Sequence, residues 1–575
     1  MKKVQFKSKY TQYIFLAPTL IIISIFLYLP IVQTFRDAFT TQDAFGFGRF
    51  FAGWDNFKFV LSDPSYLVAL KFTFIYIFVI TVISCSLGLL LAVQANKVIH
   101  GKSAYKTLLI WPYAIAPAVV GVTAQYFFSE RFGILYALFN SLWGFDWTAN
   151  IFDAYIYLFI AGSWKQISAN FIFFLAGLQT IQKSVIEASL IDCRSSLRRF
   201  WTITFPLLMP TTFFLVIINI TYGFFDTFGI IDTTTIGAPS GETKTLVYKA
   251  YIDGFRGLDL GAAGAQSIID AISTHHNNNS VSLHRKEDSL QLMINRLTQM
   301  FAHFILLLGV LLMVIPIWLA FTSSTHDNVT LITEGMQWYP GPLFIENYDE
   351  VLNEKGGFSE EITATGMLIN SFIMGLGIAT LKVIISMMAA YSLVYFRFRL
   401  ATPIFWFIFI TLLVPLEVRI FPSYKIVSDI GLTNSYTGLV LPLVASATAV
   451  FFFRQFYKSV PDELLESAKL DGANSWRFFI DFLVPLSKTM IAAMFIFMFV
   501  FGYSQYLWPL LMTTDEKYWT VVMGMKLIYV ELYEGVSLPR VGQRFAYIIL
   551  SIIPPVLIVV LLQRWFIKGL IQTEK

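Results

Sequence analysis

Charged side chains inside long apolar segments of this 575-residue sequence are the first candidates for chemistry, and three are singled out here. Lys165 lies within one such segment, and Glu417 and Arg419 lie at the end of another. A charge in an apolar segment is costly, so each is a candidate functional residue. Lysine and arginine could bind an anionic group such as phosphate through charge-assisted hydrogen bonds. The alternative for Arg419 is an ion pair with Glu417, or a side chain that extends to an interface; for Lys165 the functional and structural interpretations are equally supported.

Three polar side chains share these apolar surroundings, namely Asn170, Asp226 and Gln505. Their groups could line the same cavity as the charged residues, or they could hydrogen-bond one helix to another. The sequence leaves both interpretations open.

A short motif occurs twice. The first copy contains Glu187, Ala188 and Asp192, and the second contains Glu466, Ala468, Asp471 and Gly472. The paired glutamates, the paired aspartates and the later Pro206 and Pro485 are each 279 positions apart. One copy would be a weak pattern, but two copies at one offset indicate internal duplication.

The chemistry of the motif suits docking to a partner. A short amphipathic helix is expected to end near Asp471, where Gly472 can adopt a left-handed turn. The acidic residue near the start of each copy could face a basic surface of the partner. The alternative, an ordinary solvated loop, is less compatible with two matched copies.

Other chemistries are not supported by the sequence. His100-Gly101-Lys102-Ser103 resembles the end of a phosphate-binding loop, but Asn96 occupies the position of the required earlier glycine. We find no catalytic triad and no zinc-ligand spacing, so we expect no catalytic residues, no metal and no cofactor. The His and Asn cluster around 275–279 is interpreted as part of a polar linker.

Composition indicates a membrane protein. Hydrophobic residues make up 56% of the chain and charged residues only 14%, against about 25% charged residues in soluble domains. The net charge of +4 suggests no nucleic-acid partner. Cys85 and Cys193 lie in unlike surroundings, so no disulfide is expected. The basic N-terminus precedes an apolar run that is too long for a signal peptide.

The apolar runs predict an all-α polytopic fold with about 11 transmembrane helices, each near the roughly 20 residues that cross a bilayer. The predicted spans are 13–35, 71–95, 107–129, 155–181, 211–231, 300–321, 369–395, 403–421, 437–457, 489–512 and 544–566. Lysine and arginine cluster before the first span and after the second and fourth spans of each half, which predicts a cytoplasmic N-terminus. Both halves are expected to start in the cytoplasm and are therefore parallel repeats.

The predicted domains are 1–269, a polar linker 270–298 and 299–575. The first domain has five predicted spans and the second has six, so a sixth span appears to be absent from the first. Five spans would invert the second domain and place Glu466 on the wrong side. Codons chosen for this junction can be shifted by one nucleotide to read apolar residues at 270–272 and 275–279 and then a basic segment at 281–289, and codons for 291–293 can contain a stop that overlaps a start. We therefore hypothesise that a frameshift fused two genes here and erased a sixth span, with Met293 as the second start.

The duplicated motif resembles the coupling loop of ATP-binding-cassette (ABC) importer permeases of the carbohydrate-uptake type. Within that family the halves look like the two permeases of sn-glycerol-3-phosphate importers. The segments that carry this resemblance are WPYAIAPA (111–118), WKQISANF (164–171), FFDTF (224–228), YIDGFRGLDL (251–260), VPLEVRIFP (414–422), LVASATA (443–449) and QYLWPL (505–510). The first motif copy departs from the family, with Cys193 in place of glycine and Arg194 in place of alanine.

The resemblance implies two type I permease helix bundles that form the pore of an importer. It further implies an ABC ATPase dimer at the motif loops, an extracytoplasmic substrate-binding protein, and sn-glycerol-3-phosphate or a glycerophosphodiester as substrate. ATP would be bound and hydrolysed by the partner subunit, so this chain is not expected to be an enzyme. The location implied is the bacterial cytoplasmic membrane. The alternatives are an ABC importer for neutral sugars or oligosaccharides, and a secondary carrier.

Overall fold

A computed structural model gives the fold. It describes residues 5–6, 8, 10–42, 48–98, 101–181, 185, 195–257, 259–276, 296–353, 361–411, 419–525, 530–533 and 536–572. The described residues are almost entirely helical, and their only strands form two short antiparallel hairpins. These are β1 (Thr40–Gln42) with β2 (Arg49–Phe51), and β3 (Val530–Tyr533) with β4 (Val536–Pro539).

The first half contains thirteen described α-helices. They are α1 (Thr11–Ile23), α2 (Leu29–Ala38), α3 (Asp55–Ser62), α4 (Pro64–Lys97), α5 (Lys102–Ile110), α6 (Pro117–Phe127), α7 (Ile134–Trp143), α8 (Ile151–Thr180), α9 (Ser196–Arg199), α10 (Phe205–Phe225), α11 (Phe228–Thr233), α12 (Leu246–Tyr251) and α13 (Leu260–His276). π-Helical turns cover Ser24–Tyr28, Phe200–Thr204 and Ile252–Arg256, and a 3₁₀ turn covers Trp111–Ala114.

The second half follows a similar order. Its described α-helices are α14 (Arg296–Ser323), α15 (Asn328–Glu334), α16 (Phe344–Asn353), α17 (Ala364–Tyr395), α18 (Ala401–Ile410), α19 (Ile420–Asp429), α20 (Tyr436–Val440), α21 (Ala447–Ser459), α22 (Asp462–Leu470), α23 (Ser475–Arg477), α24 (Val484–Leu486), α25 (Lys488–Tyr503), α26 (Leu507–Met512), α27 (Val521–Gly524) and α28 (Val541–Gln572). A π-helical turn covers Phe478–Leu483, and 3₁₀ turns cover Leu441–Leu443 and Glu516–Tyr518.

The membrane spans predicted from the sequence are confirmed at ten positions. Among the described residues, six helices are long and apolar enough to cross a bilayer, and counting each of four bent helix pairs as one span brings the number to ten. The eleventh predicted span, 403–421, coincides with the short apolar helix Ala401–Ile410 and then enters residues 412–418, which lie outside the described part.

Two spans that the sequence predicted as continuous helices, 107–129 and 437–457, are bent instead, and two further bends lie just before the predicted spans 211–231 and 489–512. The bends measure 99° between α5 and α6, 63° before most of α10, 51° between α20 and α21, and 76° before α25. A proline lies within a few residues of each bend: Pro117, Pro206, Pro442 and Pro485. Proline lacks the backbone N–H and clashes with the preceding turn, so the helix breaks there.

The internal duplication is visible at one contact, here called the joint, where an asparagine side chain bonds the residues at the end of the first span and lies against the start of the last helix of the half. In the first half, the Asn56 side-chain amide donates to the carbonyls of Ala38 and Thr40, at 2.9 and 3.0 Å. A Cβ on Gly261 would lie 2.8 Å from the same amide nitrogen, so only glycine allows α13 to start this close.

The second half repeats this joint. Asn347 donates to the carbonyls of Ser324 and His326, at 2.8 and 3.1 Å. A Cβ on Gly542 would lie 3.2 Å from its amide nitrogen and 2.6 Å from the His326 carbonyl oxygen. The start of α13 is therefore the counterpart of the start of α28, the last span of the second half.

This counterpart changes the interpretation of the junction. The predicted linker starts at 270, but α13 continues through His276 and so occupies its first seven residues. The helix has 17 described residues, a length of about 26 Å at 1.5 Å per residue. The absence of a sixth span from the first half stays a prediction, because α13 is a helix at the corresponding position but is not among the described helices that are long and apolar enough to cross a bilayer. The sequence did not predict α13 because polar residues at its end interrupt the apolar run.

The contacts place the starts of both halves on one face of the molecule. Near the start of α14, His303 Nδ1 lies 3.1 Å from the hydroxyl of Tyr105, near the start of α5. Before α1, the backbone N–H of Phe6 donates to Tyr395 at the end of α17. Because α4 is the next span after the first, its end and the start of α5 lie on the face where the first span begins. Both halves therefore start on one face, which is the arrangement of parallel repeats.

The first span packs on the second half. The Thr19 hydroxyl donates to the Ile385 carbonyl at 3.0 Å, and the Ser392 hydroxyl donates to the Gln12 carbonyl at 2.9 Å. These buried bonds join α1 to α17 and fix the two halves side by side.

Candidate functional site

A cavity of about 260 Å³ lies between the two halves. Its wall is built largely from the ends of interrupted helices: Pro117 at the start of α6, Asp226 at the end of α10, and Ser446 at the start of α21. Non-helical backbone at membrane depth is tolerated where it lines a cavity. The helix breaks near the prolines therefore also supply part of the cavity wall.

Lys382 is the most unusual residue of the wall. It lies in the middle of α17, is only 5% exposed, and points its ammonium at the Phe501 ring, 3.8 Å from the ring centroid. Within the described ranges it forms no ion pair or hydrogen bond. A cation–π contact offsets only part of the cost of removing an ammonium from water.

Arg419 lies on the same wall and is 6% exposed. Its guanidinium donates to the Phe26 carbonyl of the first half and to the Ser423 hydroxyl, the latter at 3.3 Å. Arg419 and Lys382 are near enough to repel each other electrostatically. The wall from the second half therefore concentrates positive charge, and hydrogen bonds hold one of the two cations in place.

Asp226 faces the cavity from the first half and is exposed to it. It interacts electrostatically with Lys165 of α8, which is half-buried and does not line the cavity. These two predicted residues are therefore brought together as neighbours of opposite charge. Lys165 compensates the carboxylate, so the wall from the first half is closer to neutral.

The remaining predicted pathway residues are separated. Gln505 lines the cavity, and its amide donates back to the Phe501 carbonyl at 3.1 Å. Asn170 does not line it, because its amide and that of Asn219 bond each other at 3.1 and 2.9 Å, with the Cys85 thiol alongside. Asn170 thus joins α8 to α10 and α4. Glu417 lies outside the described residues.

A hydrogen-bonded carboxylate joins the halves beside the cavity. Asp232 of α11 is buried and accepts from the Tyr506 hydroxyl of the second half at 2.6 Å. It also accepts from the Tyr248 hydroxyl of its own half, at 3.3 Å. Because Tyr506 lines the cavity, this carboxylate couples the cavity wall to α11.

The second copy of the repeated motif forms α22, as predicted. Leu465 and Ala468 form the buried side of this helix, whereas Glu466 is exposed and Leu470 is 88% exposed. The helix ends before Asp471, and Gly472 has φ +76°, the left-handed conformation expected for a glycine at this position. An exposed leucine beside a glutamate gives α22 a free surface for a partner. Glu187, Ala188 and Asp192 of the first copy lie outside the described part of the chain.

The N-terminal segment contacts α22 directly. Lys469 donates to the Gln5 carbonyl at 2.9 Å, and its ammonium lies 4.8 Å from the centroid of the Phe6 ring. Burial lowers the pKa of Lys469, and the carboxylate of Glu466 opposes this shift. The N-terminus and the motif helix therefore share one face of the protein.

Sequence reasoning missed Lys382, although it lies within the predicted span 369–395. The signal was the same that singled out Lys165, a lone charge inside an apolar run. Among the described residues, no group of three or more His, Cys, Asp or Glu side chains could hold a metal ion.

These features define a class: a polytopic helical membrane protein built from two similar halves around a central cavity. A family model described as "Binding-protein-dependent transport system inner membrane component" matches residues 382–572. The "sn-glycerol-3-phosphate transport system permease protein UgpE" of Rhizobium meliloti (strain 1021) is 43% identical over 285 residues, 48% of this chain and 98% of the relative. Its namesake from Yersinia pestis bv. Antiqua (strain Antiqua) is 44% identical over 276 residues, 48% of this chain and 96% of the relative.

A solved structure of a bacterial ABC transporter involved in the import of the acidic polysaccharide alginate is 21% identical, with a TM-score of 0.41. The match covers 48% of this chain and 99% of that one. The identity and coverage of the sequence relatives decide the family. The chain belongs to the binding-protein-dependent inner membrane components, the permeases of ABC importers, which are multi-pass proteins of the inner membrane and not themselves catalytic.

Proposed function

We propose that this permease imports sn-glycerol-3-phosphate or related glycerophosphodiesters. The observation that carries the substrate is the positive wall of the cavity, where Lys382 lies near enough to Arg419 for the two cations to repel each other and forms no ion pair within the described residues. A phosphate-bearing polyol supplies the missing negative charge and enough hydroxyls for the polar groups around it. The names of the curated relatives support the same substrate.

The size of the cavity supports a small substrate. Its volume of about 260 Å³ is below the roughly 300–1,000 Å³ typical of sites for drug-sized ligands. A glycerol phosphate fits this scale better than an oligosaccharide does.

The motif helix is the proposed contact for the ATPase. The exposed Glu466 and Leu470 support docking of α22 into a cleft of an ABC ATPase dimer, and the first copy at Glu187, Ala188 and Asp192 is assigned to the second ATPase subunit. Gln5 and Phe6 lie against α22, which supports a cytoplasmic N-terminus if the ATPase docks there. An extracytoplasmic binding protein would deliver substrate at the opposite face.

Uptake measurements test the proposal. The full chain is expressed with its cognate binding protein and ATPase in cells that lack their own glycerol-3-phosphate uptake. We expect ATP-dependent uptake of labelled sn-glycerol-3-phosphate and no uptake of labelled maltose. Maltose uptake alone would replace the proposed substrate, and uptake without the ATPase would indicate a secondary carrier.

A further inference from the structure

The wall from the second half combines three sources of positive potential. Lys382 and Arg419 are two of them, and the third is the start of α21. The Ser446 hydroxyl accepts from the backbone N–H of Ala449 at 3.3 Å, and Ala447 and Thr448, the first two residues of α21, line the cavity. The N-terminus of a 13-residue helix favours an anion at this point.

The two cations differ in how they are held. The bonds from Arg419 to the Phe26 carbonyl and Ser423 fix its guanidinium in one orientation. The ammonium of Lys382 lies against the face of the Phe501 ring, is repelled by Arg419, and forms no hydrogen bond or ion pair within the described residues. A flexible four-carbon stem lets its ammonium leave the ring and reach a ligand.

We propose that Lys382 is the specificity-determining residue of this cavity and binds the phosphate of the substrate, with Phe501 holding its ammonium while the cavity is empty. Arg419 and the start of α21 supply fixed positive potential at the same wall. This inference rests on the proposed function and adds to it a residue and an orientation.

The charge asymmetry of the cavity orients the substrate. The wall from the first half presents Asp226, whose charge is compensated by Lys165. A carboxylate repels a phosphate but accepts hydrogen bonds from hydroxyl groups. The phosphate therefore faces the second half, and the glycerol hydroxyls face Asp226 and Gln505.

Lysine suits a transport site because binding must also be reversible. Its ammonium is a compact point charge with three donors, whereas a bidentate arginine holds a phosphate in a rigid planar geometry. A cation that moves between an aromatic ring and the ligand exchanges one favourable contact for another, which eases release on the cytoplasmic side.

Substitution of Lys382 tests the inference in the full chain with its ATPase and binding protein. We expect Lys382→Met to lower the initial rate of sn-[¹⁴C]glycerol-3-phosphate uptake by about tenfold or more, since a charge-assisted hydrogen bond is lost. Lys382→Arg, which keeps the charge, should retain more uptake than Lys382→Met. Co-purification of the ATPase reports whether each variant assembles.

Arg454 offers a matched control. Its guanidinium lies 3.9 Å from the centroid of the Phe405 ring, the same kind of contact, but it does not line the cavity. Arg454→Met should leave uptake unchanged. An equal loss of uptake in Arg454→Met and Lys382→Met would overturn the inference, because it would reflect the cation–π contact and not the cavity.

Two further results separate the alternatives. Wild-type uptake in Lys382→Met would overturn the role of Lys382 and leave the proposed function standing, whereas no glycerol-3-phosphate uptake by the unmodified chain would overturn the proposed function itself. Restoration of uptake in the double variant Lys382→Met, Glu417→Gln would show that Lys382 balances Glu417 and not a phosphate, which also overturns the inference.

Discussion

At the scale of single residues, several charged side chains that are costly to remove from water lie where the two halves of this permease meet. Lys382 and Arg419 come from the second half, and Asp226 and Asp232 come from the first. Charged groups at membrane depth persist where they face a cavity or a partner. Their position between the halves means that any relative movement of the halves changes the surroundings of all four.

The bond from Tyr506 to Asp232 is a residue-scale test of this interface. Tyr506→Phe should destabilise the fold by about 1.5–3 kcal/mol, the usual contribution of a hydrogen bond to a charged group. Tyr248→Phe removes a bond to the same carboxylate, but at 3.3 Å and from within one half, so it should cost less than the bond of 2.6 Å. Thermal unfolding of the purified chain measures both. A larger loss of stability in Tyr248→Phe would contradict this ranking.

At the scale of elements, helix ends and breaks carry the functional geometry. The bends near Pro117 and Pro442 open the wall of the cavity, and the left-handed Gly472 ends the motif helix. None of these residues supplies chemistry of its own. They decide where charged and apolar side chains project.

Gly472 provides a prediction at this scale. A valine here would force an L-residue into the left-handed region at a cost of about 1–2 kcal/mol, and no atom lies within 4 Å of the added Cβ. Gly472→Val should therefore distort the end of α22 without a clash, and we expect loss of ATPase co-purification with normal membrane insertion.

Gly431 is the matched control for this variant. It has φ +70°, and a Cβ there would also meet nothing within 4 Å, but it follows α19 and not the motif helix. Gly431→Val should carry a similar strain and keep the ATPase. If both variants lose the ATPase equally, general destabilisation explains the result and the docking role of α22 fails.

The sequence predicted the positions of the membrane spans better than the bends within them. Hydropathy found ten spans because bilayer-facing residues are apolar whatever their neighbours are. It did not place the bends within 107–129 and 437–457, since a proline in a membrane helix is compatible with both a straight and a broken helix. The left-handed glycine at 472 was predictable because helix C-termini use this conformation so often.

The candidate site was predictable only in part. Asp226, Arg419 and Gln505 were singled out and do line one cavity, but Asn170 was singled out by the same polarity and instead bonds to Asn219. An amide in a span signals a polar contact without saying whether its partner is a ligand or a helix. That distinction depends on tertiary contacts between distant segments.

At the scale of the whole molecule, the two halves repeat a single plan with one difference. The joint of Asn56 with Gly261 recurs as that of Asn347 with Gly542, yet α13 has 17 described residues and α28 has 32. The frameshift hypothesis predicts a second reading frame across 270–292 that encodes the remainder of an apolar span. The DNA sequence decides this, and a frame without an apolar run of about 20 residues contradicts it.

The topology of the junction after α13 can be measured directly. In a chain with Cys85 and Cys193 replaced by serine, single cysteines are introduced by Lys3→Cys, Gly46→Cys and His284→Cys. Since α13 leaves the face where β1 and β2 lie and returns toward the face of Phe6, residue 284 should be on the same side as the N-terminus. A membrane-impermeant maleimide should label Gly46→Cys in intact cells, and the other two only after permeabilisation. Labelling of His284→Cys in intact cells would mean that α13 does not cross, and the two halves would then be inverted and not parallel repeats.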